Sequence, residues 1–570
     1  GSTYGVYNSP LNIIIYFLIF YSYKNINKDI TLDKYTIFSS AFSVIFSSII
    51  VIGTQLEYLT QILFEFKTII AIIFLTFDVF IVVYLLLKKV NKISLKCSEI
   101  SERKITIIGY SIIFLSTFLV FLAIYPGIYG YDSIYQLQSG LGLQETTEHY
   151  SVIYIYMISF VFLFGKFVSG NYQLGCAIQI IIQMVFLTYV ANKVCIYVYK
   201  TTKNIKLWIF SIIFFSGFTF YKIMVVSIAQ DTIFTGFFVL FFLRIINLVT
   251  NNEVKKLSYF IMMGIDVLGI CLFRNNGFYA LLLIIPFIYF IDKNKKNKII
   301  LFSAIIIPMV IYKLITSYVY PSIGIVKNTD SLKEMSSVPS QQFGRVLLKN
   351  QSVYCLEDIE RLKSYYFDIE ALKKACIHNP CIADLQKKQL NSQKVDEDKF
   401  GYIKLWIKIG IKDTKNYIEA FLYNNLGLWY PNKNYPDRKM YHPLIEYENI
   451  DTEEYNKYHN TNYEVIIKRE SKFPIYEKVL NKIVNKNEWQ KIPLISTVYT
   501  IGFYFVLLLF TIGVIILRKK YKLLIPLSLL VSYYITIFLG PVSLFRYVFP
   551  IIMLTPICIM LILQKNEKRK

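Results

Sequence analysis

Apolar runs of about 20 residues recur along this chain, and they constrain its fold more than any other feature of the sequence. A helical run of that length covers the hydrocarbon core of a bilayer. Hydrophobic residues make up 55% of the 570-residue chain and aromatic residues 17%, which excludes an ordinary soluble globular protein. The pattern predicts an all-α polytopic membrane protein.

About 13 of these runs are long enough to be predicted as transmembrane helices. They are residues 11–23, 35–54, 68–87, 105–125, 172–199, 207–226, 233–249, 258–273, 278–291, 299–320, 496–517, 523–541 and 545–564. The bilayer is therefore the first partner that the sequence predicts.

Lysines in the short connecting loops predict the orientation of these helices. The formal net charge is +23, and the basic loops at 88–104, 200–206, 255–256, 293–298, 518–522 and 565–570 are expected on the cytoplasmic side. No nucleic-acid-binding motif accompanies the charge, so we predict no nucleic-acid partner.

This orientation holds only if the apolar run Ser151 to Gly165 does not cross the membrane. The run is about 15 residues long, which is short for a span. We therefore predict a juxtamembrane or re-entrant helix that lies against the outer face.

Residues 321–493 form the only long polar stretch, and it predicts a mainly α extracytoplasmic domain inserted before the last three spans. The domain organisation is then a transmembrane bundle at 1–320, with a first outer loop at 127–171, the inserted domain, and C-terminal helices with a basic cytoplasmic tail at 494–570. On an oxidising side of the membrane, this stretch has room for one disulfide among Cys355, Cys376 and Cys381.

A single carboxylate, Asp132, lies among four tyrosines in the loop that follows the run 105–125. Pro126 and Gly127 end that helix. A carboxylate at the membrane edge is costly unless it faces water or a partner, which indicates a functional role. The alternative is that Asp132 and Ser133 begin and cap a short helix, and the residues alone leave both interpretations open.

Other charged residues fall in turns that the topology places on the same outer side. They are Glu145, Glu148 and His149 in the first loop, Gln230-Asp231-Thr232 with Lys222 in the preceding span, Arg274-Asn275-Asn276-Gly277, and Arg546. Carboxylates and arginines that lie together on the outer face of a helical bundle are suited to the transfer of a chemical group from a phosphate-linked donor. A carboxylate can take the proton of an acceptor hydroxyl, and an arginine fork can hold the leaving phosphate.

Each of these residues also has a structural interpretation. Arg274 and Arg546 could extend their charged ends from the bilayer to the interface. Lys222 and Asp231 could pair with each other, and Asp266, inside a span, could be a buried structural partner. Glu145 and Glu148 could belong to a solvated loop, and His149 could be a helix cap or a core histidine.

The stretch Tyr125-Pro-Gly-Ile-Tyr-Gly-Tyr-Asp132-Ser-Ile-Tyr-Gln136 resembles the first outer loop of bacterial GT-C-like membrane glycosyltransferases. Short motifs at 230–232, 274–277, 341–345 and 546–550 are similar to that group as well. An acidic first outer loop and an extracytoplasmic domain near the C-terminus are typical of GT-C enzymes. The group usually carries a His-Pro pair after the acidic loop, whereas this chain has His149 followed by Tyr150.

The resemblance implies a bacterial plasma-membrane enzyme whose active site faces the extracytoplasmic side. It would transfer a sugar from a polyprenyl-phosphate-linked donor to a cell-surface glycan, lipid or protein. Asp132 would be the general base, with Asp231 and Glu148 as further catalytic candidates. Arg274, Arg546 and Lys222 would bind the donor phosphate. Acceptor binding, or support of the catalytic groups, is expected of His149, Tyr131, Gln136, Asn275 and Asn276.

We predict no cofactor and no metal ligands. GT-C folds accommodate a divalent metal, but no Asp-x-Asp pair occurs at Asp132, so metal independence is the better interpretation. The alternatives are a polysaccharide polymerase or ligase, which also combines a large outer loop with arginines, and a lipid-sugar flippase or transporter without chemistry. A transporter would place its charges near the bilayer midplane and would have matching broken helices.

Overall fold

The computed structural model describes residues 12–26, 30, 32–93, 97, 99–130, 132–250, 256–291, 294–327, 331–378, 381–433, 457, 467–486 and 488–564. Within these ranges every named secondary-structure element is a helix. The β-pairing among the described residues is limited to isolated bridges. The all-α prediction is therefore confirmed. The basic tail at 565–570 and Tyr131 lie outside the described residues.

Helices of three groups follow one another along the chain. The first group is α1 (Ile13–Asn25), α2 (Lys34–Leu59), α3 (Phe66–Lys92), α4 (Glu102–Ala123), α5 (Ser133–Gly140), α6 (Val152–Ser169), α7 (Gln173–Thr202), α8 (Ile205–Gly217), α9 (Thr219–Val225), α10 (Gln230–Thr250), α11 (Leu257–Phe273), α12 (Asn275–Ile288), α13 (Lys295–Leu314) and α14 (Tyr320–Ser322). The inserted domain contains α15 (Ser331–Met335), α16 (Ser337–Lys349), α17 (Leu356–Tyr365), α18 (Ile369–His378), α19 (Asp384–Lys387), α20 (Ser392–Glu397), α21 (Lys399–Lys412), α22 (Thr414–Asn424), α23 (Leu426–Trp429) and α24 (Pro474–Val484). The last group is α25 (Ile495–Tyr499), α26 (Ile501–Leu517), α27 (Leu524–Phe538), α28 (Phe545–Met553) and α29 (Thr555–Leu563).

Eight of the described helices are long and apolar enough to cross a membrane, or ten if each of two bent helix pairs counts as one span. This number is lower than the predicted 13 because the prediction counted short apolar runs, and these form helices too short to count as full spans. The helices α11, α12 and α26 have only 17, 14 and 17 residues, and α1 has 13. The chain is a multi-pass membrane protein, and two of its predicted spans, 207–226 and 545–564, are bent helix pairs.

The two ends of the bundle are defined by α4 and α7, which lie side by side in opposite directions. At one end the backbone N–H of Ile100 donates to the Tyr199 hydroxyl at 2.9 Å. At the other end the Cys176 thiol lies 3.7 Å from the carbonyl oxygen of Pro126. We call the end with Pro126 the site end and the end with Tyr199 the basic end.

The helix α6 begins and finishes at the site end. The backbone N–H of Ser151 donates to Gln230 Oε1 at 2.9 Å, at the start of α10, and the segment before α10 pairs with the loop after α4. Near its other end, Gly165 packs directly on Gly175 in the first turn of α7. The helix therefore runs along the site end of the bundle. It has 18 residues rather than 15 and is long enough to span, so the length argument for this placement was wrong.

The inserted domain is anchored to the bundle by a buried ion pair. Arg345 pairs with Glu419, and both side chains are buried. The same groups hold the loop between α2 and α3, because Arg345 donates to the Thr60 carbonyl at 2.6 Å and Glu419 accepts from the Ile62 N–H at 2.8 Å. A charge pair that also satisfies backbone groups in this way fixes the position of the domain.

A second anchor joins the domain to the turn between α27 and α28. Asn424 Nδ2 donates to the Gly540 carbonyl at 3.0 Å, and the N–H of Ala383 donates to the Pro541 carbonyl at 2.8 Å. Gln341 holds Asn424 in place by donating to its Oδ1 at 3.3 Å. Because this turn leads directly into α28, the domain covers the site end of the bundle.

Cysteines provide natural probes of the topology. Cys97 is exposed at the basic end and Cys355 is exposed on the inserted domain, while Cys376 is buried. All three, like Cys381, are free thiols, so the structure contains no disulfide among the domain cysteines.

Labelling of these cysteines tests the predicted orientation. If the inserted domain faces outward, a membrane-impermeant maleimide will modify Cys355 in intact cells and will reach Cys97 only after permeabilisation. The variants Cys97→Ser and Cys355→Ser assign each signal. Rapid labelling of Cys97 from outside would show that the orientation is the opposite of the predicted one.

Candidate functional site

Four charged side chains from four separate turns meet at the site end of the bundle. Arg546 Nη1 lies 2.6 Å from Asp132 Oδ2 and 3.6 Å from Asp231 Oδ2. Arg274 pairs with the other oxygen of Asp231. We call these four residues the charged cluster. Their convergence joins the loop after α4, the first turn of α10, the α11–α12 turn and the first turn of α28.

The loop after α4 is held in place by backbone pairing. The Ile128 N–H donates to the Val226 carbonyl at 2.8 Å, and the Ile128 carbonyl accepts from Ile228 at 2.9 Å. Gly127 makes this path possible, since its φ is +126° and a Cβ would lie 2.3 Å from Ile180. The pairing joins the loop to the segment just before α10 and so brings Asp132 close to Asp231.

Asp132 directly precedes α5, but its side chain accepts no capping hydrogen bond from that helix. The carboxylate bonds to Arg546 instead. The capping interpretation is therefore wrong, because the guanidinium is a charged partner and the helix N–H groups are not. The Asp132 side chain is 31% exposed and the Asp231 side chain only 2%, so Asp132 is the carboxylate that solvent reaches.

Several neighbouring side chains hold the guanidinium group of Arg274 in place. Its Nε donates to Asn276 Oδ1 at 2.7 Å, and its guanidinium lies 4.1 Å from the centre of the Tyr547 ring. Gly277 lets the turn pack against α11, because a Cβ there would lie 2.6 Å from Ile270 Cγ2. Arg274 and Arg546 are each 12% exposed and paired with carboxylates. Both guanidinium groups are thus held in ion pairs within the cluster.

Lys222 is not the partner of Asp231. It is buried and donates to the Tyr476 hydroxyl at 3.2 Å, on a helix of the inserted domain. Asp231 lies between the two arginines, so the predicted alternative of a Lys222–Asp231 pair is wrong. Among the described contacts Lys222 makes none with the charged cluster.

Glu148 faces a different group of charges. Burial raises the pKa of its carboxyl, and Lys327 and Lys313 oppose that shift. Asn275 connects this region to α13, accepting from the Tyr312 hydroxyl at 3.1 Å and lying 3.5 Å from the Glu148 carbonyl. The described contacts of Glu148 thus lie beside the charged cluster rather than in it, and Glu145 is exposed on the same loop.

Polar residues of α5 and the following loop support the site from one side. Gln136 is buried and donates to Gln230 Oε1 at 3.1 Å, the same oxygen that receives the Ser151 N–H. His149 is exposed, and its ring lies edge-on to Tyr150 at 4.6 Å. No group of three metal-ligating side chains occurs in the described ranges.

Two tyrosines of the site were missed by the sequence interpretation. Tyr150 lies within the electrostatic reach of Asp132 and Arg546, and burial, followed by the Asp132 charge, raises the pKa of its hydroxyl. It therefore remains a proton donor. The Tyr547 ring lies beneath both arginines, 5.4 Å from the Arg546 guanidinium. The chain holds 47 tyrosines, so only the position of Tyr547 beside Arg546 could have indicated it.

Asp266 has the structural role given as its alternative. Arg244 Nε lies 2.5 Å from Asp266 Oδ2, and the carboxylate is buried. The pair joins α10 to α11 towards the basic end, away from the charged cluster.

The fold and the charged cluster together define a multi-pass, all-helical membrane protein with a polar site at one end of its bundle. The chain belongs to DUF6020, a family of unknown function, whose model matches residues 14–570. No curated protein matches it, and no solved structure does.

The unequal burial of the two carboxylates predicts unequal effects on stability. Asp231→Asn removes the negative charge between two buried guanidinium groups, and breaking such a pair costs about 3–5 kcal/mol. Asp132→Asn affects a carboxylate in contact with solvent and should cost much less. Apparent Tm values of the purified variants in one detergent measure the difference, and equal shifts would contradict it.

Proposed function

We propose that this protein is an integral membrane glycosyltransferase that uses a polyprenyl-phosphate-linked sugar as donor. The observation that carries this proposal is the pairing of a solvent-accessible carboxylate, Asp132, with Arg546 at 2.6 Å, at the end of the bundle that the inserted domain covers. General-base and phosphate-binding groups are thereby placed side by side. The acceptor would be an extracytoplasmic glycan, lipid or protein.

Asp132 is assigned as the general base because it is the more accessible of the two clustered carboxylates. It would take the proton of the acceptor hydroxyl as that oxygen forms a bond to the anomeric carbon of the sugar. The bond from that carbon to the phosphate oxygen breaks, and the polyprenyl phosphate leaves with the electron pair. Asp231 is too buried to meet the substrate and would orient both arginines.

Arg546 and Arg274 are assigned to the phosphate of the donor. Two carboxylates balance two guanidinium groups in the charged cluster, so an incoming phosphate has to compete with a carboxylate. Asp132 is the partner that can be displaced, since Asp231 is held by both arginines. Donor binding would thus release the Asp132 carboxylate for the acceptor hydroxyl, which couples the two substrates.

The charge distribution supports an extracytoplasmic position for this site, and the resemblance to bacterial GT-C-like proteins supports a bacterial plasma membrane. The basic loops 88–104 and 200–206 belong to the end opposite the charged cluster, and such loops remain cytoplasmic. The polar inserted domain would then face outward and offer a surface for the acceptor. A polymerase or ligase of surface polysaccharide would use the same residues with a different acceptor.

A lipid-sugar transporter is the second candidate, and the bent helices favour it. The pair α8 and α9 meets at 60° and the pair α28 and α29 at 42°, and broken helices are common at transport sites. The charged cluster, however, lies at one end of the bundle rather than halfway along α4 and α7. A transporter would also form no new glycosidic bond, so transfer of the sugar to an acceptor distinguishes the two candidates.

Asp132→Asn is expected to reduce sugar transfer about 10²–10⁴-fold, because the side chain keeps its size but loses its basicity. The assay uses purified protein, a polyprenyl-phosphate sugar donor and a membrane extract as acceptor source. Glu145→Gln is the matched control, as it neutralises an exposed acid on the same loop. Transfer within a few-fold of wild type would exclude Asp132 as the base.

Arg546→Lys is expected to weaken donor binding by about tenfold or more, because a point charge does not replace a bidentate fork. Arg361→Lys, at an exposed position of the inserted domain, is the control for the same chemical change. Donor affinity is measured by isothermal titration in nanodiscs. Wild-type donor affinity in the double variant Arg274→Lys/Arg546→Lys would show that neither arginine binds the donor phosphate.

A further inference from the structure

A large cavity lies at the basic end of the bundle, far from the charged cluster. Its volume is about 1140 Å³. The walls are the beginning of α4, the ends of α7 and α10, and the turn between α26 and α27. None of the residues assigned to sugar transfer lines it, so the cavity needs an explanation of its own.

Positive charge dominates the described lining of this cavity. Its cationic residues are Lys193, Lys200, Arg244, Lys519, Lys520 and Lys522. Glu102 is the carboxylate in the lining and pairs with Lys200 at 2.6 Å, and Asp266 lies behind Arg244. Six cations against two carboxylates leave a formal excess of four positive charges, which favours an anionic ligand.

The basic side of the cavity is held by packing and hydrogen bonds. Arg244 lies over the ring of Tyr259 at 5.4 Å, and that hydroxyl donates to the Arg244 carbonyl at 2.7 Å. Arg518 donates to the carbonyls of Leu561 and Gln564 at 3.1 and 2.8 Å. These bonds fix the turn that carries Lys519, so the cations do not depend on a freely moving loop.

A smaller groove of about 280 Å³ joins the cavity between α4 and α7. The two spaces share Thr106, Tyr189, Lys193 and Ile196 in their linings. The groove continues past Ile107, an apolar residue that is 55% exposed on the outer surface of the bundle. A molecule in the basic cavity can therefore extend an apolar chain into the bilayer.

This combination points to an amphiphile rather than a soluble anion. We propose that the cavity binds the phosphate headgroup of an anionic lipid from the leaflet at the basic end, with an acyl chain in the α4–α7 groove. Basic pockets between transmembrane helices are suited to such headgroups. Lys193 lies at the junction of the two spaces and would contact the phosphate. This site is independent of the proposed sugar transfer.

The test uses the full-length protein reconstituted with phosphatidylglycerol and phosphatidylcholine, followed by native mass spectrometry of the released protein. Wild type should retain phosphatidylglycerol in preference to phosphatidylcholine. Lys193→Gln/Lys522→Gln should weaken that preference by at least about tenfold. The matched control, Lys206→Gln/Lys295→Gln, removes two exposed lysines outside the cavity and should retain the wild-type preference.

A steric variant and two competitors complete the test. Ile107→Trp narrows the groove from its lipid-facing side without removing a charge, and it should also weaken retention of phosphatidylglycerol. Inorganic phosphate should fail to displace the lipid, and displacement by it would overturn the lipid assignment. Displacement by an isoprenyl phosphate would identify that lipid as the occupant. An unchanged preference in both the lysine and the Ile107 variants would refute the site.

Discussion

The buried carboxylate of Asp231, between Arg274 and Arg546, is the interaction on which the site end of this protein depends. Two guanidinium groups with little solvent contact repel each other unless a negative charge lies between them. Asp231 supplies that charge and so holds the α11–α12 turn against the start of α28. Asp132 pairs with Arg546, which Asp231 holds in position, and the backbone pairing of Ile128 with the segment before α10 brings Asp132 within reach of it.

The inserted domain depends on the same region. Asn424 and Ala383 hold the turn at Gly540 and Pro541, only a few residues before Arg546. The Arg345–Glu419 pair connects the domain to the loop after α2 as well. The domain and Arg546 are therefore joined through one short turn.

Much of the fold could be predicted from the sequence because apolar length is a local property. The predicted runs 35–54 and 68–87 correspond to α2 and α3. The bend at Phe218 was not predicted, since the run 207–226 was predicted as a single span, whereas α8 and α9 meet there at 60°.

The sequence by itself determined the helical membrane class, the turns that carry charge and the polar insertion, because hydropathy and loop charge act along the chain. Only the tertiary structure decided which charges pair. Asp132 could cap α5 and Asp231 could pair with Lys222 by sequence proximity, yet Asp132 binds Arg546 and Asp231 lies between Arg274 and Arg546. Arg546 lies more than 300 residues from either carboxylate in the chain. Such a partner is visible only when the helices are packed.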